Sequence, residues 1–176
     1  MDLENLRALV RDVEGFPIPE VTFKDITPLL ADLRALEYTV EMLATPYENA
    51  GITKVAGIEA RGFVLAPAVA LALGAGFVPL RKPGKLPYQT RREEYQLEYG
   101  VDGLEIHVDA VGPDDRVLLV DDVIATGGTA RAGIDLIRGL GADLVGMVVL
   151  IELGFLGGRD KLDGEVALRS ILMYGG

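Results

Sequence analysis

Residues 117–130 read VLLVDDVIATGGTA: an apolar run, two adjacent aspartates, then a threonine, two glycines and a second threonine. Gly127 and Gly128 permit positive φ and let a ligand approach the backbone closely. If 117–120 is a central parallel strand, Asp121 and Asp122 lie at its carboxyl end, where open α/β sheets bind ligands. Residues 125–129 then lead into a helix. Loop N–H groups from Ala125 onward, the hydroxyls of Thr126 and Thr129 and the helix dipole converge on one spot, which makes an anion site. Carboxylates beside an anion need a reason, and vicinal hydroxyls supply one through charge-assisted hydrogen bonds. A phosphate with a cis-diol beside it is ribose 5-phosphate. The motif lacks the lysine of the triphosphate-binding loop and the spacing of the dinucleotide fingerprint. The plainer alternative is a strand end followed by a helix cap.

Other chemistry is limited. The chain has no cysteine, which removes disulfides, thiolate metal sites and thiol nucleophiles. Its single histidine, His107, sits in LEIHVD, whose period-2 pattern marks a strand residue facing solvent or packing at a sheet edge. A formal net charge of −10 opposes nucleic-acid binding. Within that acidic chain Arg81, Lys82, Lys85, Arg91 and Arg92 form a basic island, read either as a site for a small anion or as a solvated loop.

The chain's 176 residues, 49% hydrophobic and 25% charged, fit one soluble domain with a real core. No apolar run reaches transmembrane length, and the acid-rich first residues carry no signal pattern, so a cytoplasmic protein without a membrane partner is expected. Leu3, Leu6, Leu9, Val10 and Val13 predict a helix ending near Gly15; Pro17 and Pro19 favour extended chain after it. A second helix carries Leu33, Leu36, Val40, Leu43 and Tyr47. Strands are predicted at 54–58, 76–80, 95–100, 104–109, 116–121 and 143–152, with a last one in EVALRSIL. Helices are predicted at 62–74, where Pro67 should fall near the first turn, and at 127–141. Alternating strands and helices with near-continuously apolar strands predict an α/β fold, a central mostly parallel sheet with helices on both faces. Residues 81–103 are a long polar segment of the kind that is functional or mobile.

VLLVDDVIATGGTA resembles the signature of the type I phosphoribosyltransferases, and the acid pair and T-G-G-T are its most specific parts. GIEARGFVLAPAVA (57–70), GFVPLRKPGKLP (76–87), LEYGVDGLEIHVDA (97–110) and VTFKDITPLL (21–30) are similar to the adenine-specific branch of that family. The blocks occur in the family's order across most of residues 16–150. The resemblance implies transfer of phosphoribosyl from 5-phosphoribosyl 1-pyrophosphate to N9 of adenine, giving AMP and pyrophosphate in purine salvage. It also implies Mg²⁺, held mainly on substrate oxygens and water, and a homodimer. One domain over 1–176 would carry a small flexible hood made by about 84–103 and the segment near 16–30.

The roles implied follow the motifs. Asp121 and Asp122 would hold the ribose hydroxyls, and Ala125, Thr126, Gly127, Gly128 and Thr129 the 5′-phosphate. Arg61 would face the pyrophosphate, with the Glu59–Ala60 peptide cis, as it is in the family, so that an N–H points there. Arg81, Lys82 and Lys85 would add positive charge, while Arg91 and Arg92 are surface charges. The hood would carry Tyr99 and Glu98, the latter exchanging a proton with the purine; strand alternation alone would make Glu98 a solvent-facing residue. Phe23 and Val123 would contact the purine ring, with backbone near Thr22 and Lys24 reading its edge; Phe23 is otherwise a core residue. Relatives specific for 6-oxopurines typically have aspartate where this chain has Ala125, which favours adenine. The alternatives are a 6-oxopurine phosphoribosyltransferase, or a non-catalytic regulator that only binds the phosphoribosyl donor; the acidic charge opposes the regulator.

Overall fold

The structure is a computed structural model and describes residues 1–96, 100–162, 164 and 166–175. Asp2 caps the first helix, α1 (Leu3–Ala8), by accepting from Asn5 N at 2.8 Å. The sequence predicts this helix to reach Val13. Instead the chain turns at Leu9 and Val10, and Arg11–Glu14 forms β1, antiparallel to β2 (Thr22–Asp25). A helix this short gains little from its own hydrogen bonds, whereas Val13 gains Phe23 as a cross-strand partner. A one-turn helix, α2 (Thr27–Ala31), interrupts the extended chain expected there, with Pro28 in its first turn.

Asp32 caps α3 (Leu33–Ala44) through Ala35 N at 2.9 Å. Its buried face is Ala35, Thr39, Leu43 and Ala44, so the predicted stripe is rotated: Leu33 is exposed, and Leu36 and Val40 are half-buried. Then follow β3 (Lys54–Ile58) and α4 (Gly62–Leu73), closed by Gly74 at φ 65°. Pro67 lies in the second turn of α4, one turn deeper than expected, where it cannot donate to the Phe63 carbonyl. β4 (Gly76–Leu80) is followed by the antiparallel pair β5 (Thr90–Gln96) and β6 (Val101–His107). β5 begins earlier than the 95–100 strand predicted from apolar alternation. The chain ends with β7 (Arg116–Ile124), α5 (Gly128–Gly139), β8 (Asp143–Leu153) and β9 (Leu168–Tyr174).

The main sheet is parallel throughout, in the order β4-β3-β7-β8-β9. Successive residues of its central strand serve opposite cores. Leu119 packs in the cluster with Ile134 of α5 and Leu104 of β6, and Leu118 in the cluster with Leu43 of α3 and Leu65 of α4. Both faces are thus covered, as near-continuously apolar strands require. The β5–β6 ribbon hangs from the edge of this sheet through a backbone bridge between Arg81 and Glu105.

Candidate active site

The pairing register opens the site. β3 pairs with β7 only as far as Gly57 opposite Val120, while β7 continues alongside β8 to Ile124 opposite Glu152. Asp121 and Asp122 therefore stand on a strand that has lost one neighbour, within β7 rather than after it. Beyond Ile58 the departing chain turns through a cis Glu59–Ala60 peptide, as the resemblance implies, and Arg61 leads into α4. Gly62 is needed at the join, because a Cβ there would come within 2.9 Å of Asp121 Oδ1.

The cleft between the diverging chains is a cavity of about 310 Å³. Residues 121–130 line one side, and Glu59, Ala60, Arg61 and Lys82 the other. Asp121, Asp122, Val123, Ala125, Thr126, Gly127, Gly128 and Thr129 thus share one space. Gly127, at φ 82°, caps α5 in the left-handed conformation open to glycine, and α5 directs its positive end at the loop.

The electrostatics are poised for ligands that carry both hydroxyls and charge. Burial and then repulsion from Asp122 push the Asp121 carboxyl well above the usual carboxylate range. Burial also raises Asp122, against the pull of Arg61, whose Nε lies 2.7 Å from Asp122 Oδ2. Asp121 Oδ1 accepts from Asp122 N at 2.9 Å, which fixes the carboxylate's orientation. The guanidinium carbon of Arg61 sits 4.6 Å from the centre of the Phe23 ring, itself edged by Phe16. Phe23 does not line the cavity itself but touches its wall through Arg61, half-buried, rather than joining either core.

The basic island divides. Arg81 Nε lies 3.2 Å from Glu59 Oε2 and Lys85 Nζ 2.9 Å from Oε1, and Lys82 N donates to Oε2 at 2.9 Å. Burial raises the Glu59 carboxyl, but these donors outweigh it and lower it from an ordinary 4.5 to about 2. Sequence reasoning singled out Glu59 only for its peptide bond and missed its side chain as the hub of the island. The Lys82 ammonium reaches Asp102 and, at 2.6 Å, the Tyr95 hydroxyl. Burial would lower it, yet these partners hold it above the usual lysine value. Asp102 and Tyr95 belong to the ribbon, and no local spacing in the sequence marks them. Arg91 and Arg92 pair on the surface with Glu93 and Glu94, and Arg91 also donates to Gly139 O. Lys24 turns its ammonium toward Asp12, 2.6 Å away, and the Tyr174 ring, leaving only its backbone for a base. Glu98 and Tyr99 lie outside the described residues.

One cleft thus brings together two adjacent carboxylates, a glycine-rich loop at a helix N-terminus and the basic side chains of Arg61 and Lys82. A family model described as the phosphoribosyl transferase domain matches residues 23–169. The adenine phosphoribosyltransferase of Thermobifida fusca is 57% identical over 162 residues, 92% of each chain. The chain belongs to the adenine phosphoribosyltransferases. Two crystal structures of adenine phosphoribosyltransferases share its shape. That from Rhodothermus marinus is 52% identical with a TM-score of 0.94 over 98% of both chains. That from Thermoanaerobacter pseudethanolicus is 47% identical with a TM-score of 0.95, over 98% of this chain and 100% of the other. The α/β fold is thus that of an adenine phosphoribosyltransferase, a pentosyltransferase.

Proposed function

We propose that the enzyme moves the phosphoribosyl group of 5-phosphoribosyl 1-pyrophosphate onto N9 of adenine in the cavity between β3 and β7, giving AMP and pyrophosphate for purine salvage. The observation that carries this reading is the placing of Asp121 and Asp122 in the same cavity as the 125–129 loop.

The reaction is a substitution at the anomeric carbon: the bond to the pyrophosphate oxygen breaks, the bond to N9 forms, and N9 gives up its proton. An oxocarbenium-like state needs no protein nucleophile, which suits a chain without cysteine. It needs positioning, a stabilised leaving group and exclusion of water. Asp121 and Asp122 hold the 2′- and 3′-hydroxyls, and residues 125–129 hold the 5′-phosphate. Arg61 and Lys82 face the leaving pyrophosphate, with Arg81 and Lys85 one step behind on Glu59. Phe23 and Val123 flank the purine, backbone near Lys24 reads its edge, and, as the family resemblance implies, Glu98 moves the purine proton with Tyr99 as a further substrate contact. Ala125 leaves no side-chain carboxylate for a 6-oxopurine.

Mg²⁺ fits this donor set as an ion brought in on the substrate. Among the described residues no group of three acidic or histidine side chains could hold a metal, and Asp122 is already paired with Arg61. Asp121 and Asp122 would meet the ion through ribose hydroxyls and water, and it would neutralise the pyrophosphate charge.

A homodimer fits α4, which is apolar around its whole circumference yet exposes Val64 and Leu71, the latter 83% exposed. A helix of that composition is normally covered on every side. The exposed Leu33 and half-buried Leu36 of α3 extend the same surface. Nothing in the cysteine-free composition calls for an oxidising compartment, and a cytoplasmic enzyme is the reading adopted.

Calorimetry with ribose 5-phosphate and 2-deoxyribose 5-phosphate tests the site. The wild type should prefer the ribose by about ten- to a hundredfold, the worth of one hydrogen bond to a charged group. Asp121→Asn and Asp122→Asn should each shrink that preference. Equal affinity for the two sugars in the wild type would contradict the assignment of the acid pair.

A further inference from the structure

Next to the 125–129 loop, among residues that do not line the cavity, lies a second charged assembly. Glu152 is only 3% exposed, next to the carboxyl end of β8 and opposite Ile124, the residue before the loop. A carboxylate there must be paired to be tolerated. Arg159 meets it with two donors, Nε to Oε1 at 2.8 Å and Nη2 to Oε2 at 2.5 Å. Ser170 Oγ adds a third at 2.6 Å, and Arg159 Nη1 also donates to Leu168 O at 2.9 Å. The guanidinium is therefore locked between the ends of β8 and β9. Arg159 holds Glu152 below the usual carboxylate range.

What this lock carries is Gly158. A Cβ on Gly158 would overlap the Ala125 carbonyl oxygen and lie 3.0 Å from Gly127 N. A Cβ on Gly127 would in turn lie 2.6 Å from Gly158 O. The two backbones are in contact with no room for a side chain between them. Gly158 is the rear wall of the loop, and the adjacent Arg159 fixes that wall to the sheet.

We propose that Arg159, clamped by Glu152 and Ser170, is a positioning residue for donor binding: through Gly158 it holds the 125–129 loop in the shape that grips a 5′-phosphate. The inference rests on the reading of that loop as the 5′-phosphate site. A loop amide displaced by a fraction of an ångström loses alignment with every phosphate oxygen at once. A misplacement of about 1 Å at a positioned site costs on the order of a hundredfold. Lysine cannot reproduce the fork of donors, so Arg159→Lys loosens the lock while keeping the charge. Gly158→Ala removes no member of the ion pair and presses directly on Ala125 and Gly127.

The test compares both variants with the wild type by calorimetry, using ribose 5-phosphate and inorganic pyrophosphate as separate ligands, with melting curves recorded in parallel. Steady-state kinetics supply KM for the donor and for adenine. Both variants should bind ribose 5-phosphate about ten- to a hundredfold more weakly, bind pyrophosphate as the wild type does, and show a raised donor KM with adenine KM unchanged. If folding is impaired, Glu152→Gln with Arg159→Gln restores a neutral hydrogen-bonded pair. That double variant should recover the melting temperature but not the affinity for the phosphate. Ribose 5-phosphate affinity unchanged in folded variants, or lost in equal measure with pyrophosphate affinity, would overturn the inference. Thr126→Ala with Thr129→Ala separates it from the reading beneath it. If this loop variant weakens ribose 5-phosphate and the rear-wall variants do not, only the positioning role fails. If the loop variant has no effect, both fail.

Discussion

Arg61 lies against Asp122, Nε to Oδ2 at 2.7 Å, with Asp122 buried and Arg61 partly open to the cavity. The same guanidinium covers the Phe23 ring. One cation thus touches Asp122, of the acid pair proposed to hold the sugar, and Phe23, the proposed wall of the purine slot, and it lines the cavity proposed for the donor.

Removing Arg61 should harm stability and donor binding together. Breaking a fully buried pair costs ~3–5 kcal/mol, and the exposure of Arg61 reduces this to about 1–2 kcal/mol for Arg61→Ala. Arg61→Lys keeps a charge but not the planar fork, so it should lose less stability and still lose donor affinity by about tenfold. Urea unfolding and donor titration on both variants check this ordering.

The acid pair should be a stability liability kept for binding. The raised carboxyls of Asp121 and Asp122 bind protons more tightly folded than unfolded, so their cost grows as pH rises past the ordinary 3.8. Asp121→Asn should therefore melt higher than the wild type at pH 7, by about 2–4 °C for each kcal/mol recovered. The gain should vanish at pH 3, where the wild-type carboxyl is protonated in both states. Scanning calorimetry at the two pH values measures it, and donor affinity should fall in the same variant.

Glu59 should behave in the opposite sense. Its carboxyl is depressed to about 2, so its contribution is complete above about 4.5 and is lost as pH falls through about 2. Melting temperature between pH 2 and 6 should rise more steeply in the wild type than in Glu59→Gln. Identical slopes would mean that Arg81, Lys82 and Lys85 do not hold Glu59 in solution.

Much of this site is legible in the sequence because its chemistry is consecutive. Residues 121–129 form one strand end, one loop and one helix start, so their order along the chain is their order in space. What escaped is long-range or ambiguous in period. Leu9, Val10 and Val13 fit a helical stripe, yet Val13 is spent on a strand pair with Phe23. The strand Thr90–Gln96 exposes charges along most of its length, so no apolar alternation announces it before Tyr95. The Glu59 hub joins residues far apart in the chain, and the rear wall at Gly158 shows itself only when the Ala125 carbonyl is seen against it. Neither has a spacing to read.

The most direct measurement mixes the protein with Mg²⁺, 5-phosphoribosyl 1-pyrophosphate and one base at a time, and follows nucleotide formation by chromatography. Adenine, hypoxanthine, guanine, xanthine and orotate run side by side, with Glu98→Gln beside the wild type. AMP should form from adenine alone, slowed by about a hundredfold or more in Glu98→Gln, the typical worth of a positioned acid–base group. Turnover of a 6-oxopurine in preference to adenine, or donor binding with no product from any base, would contradict it.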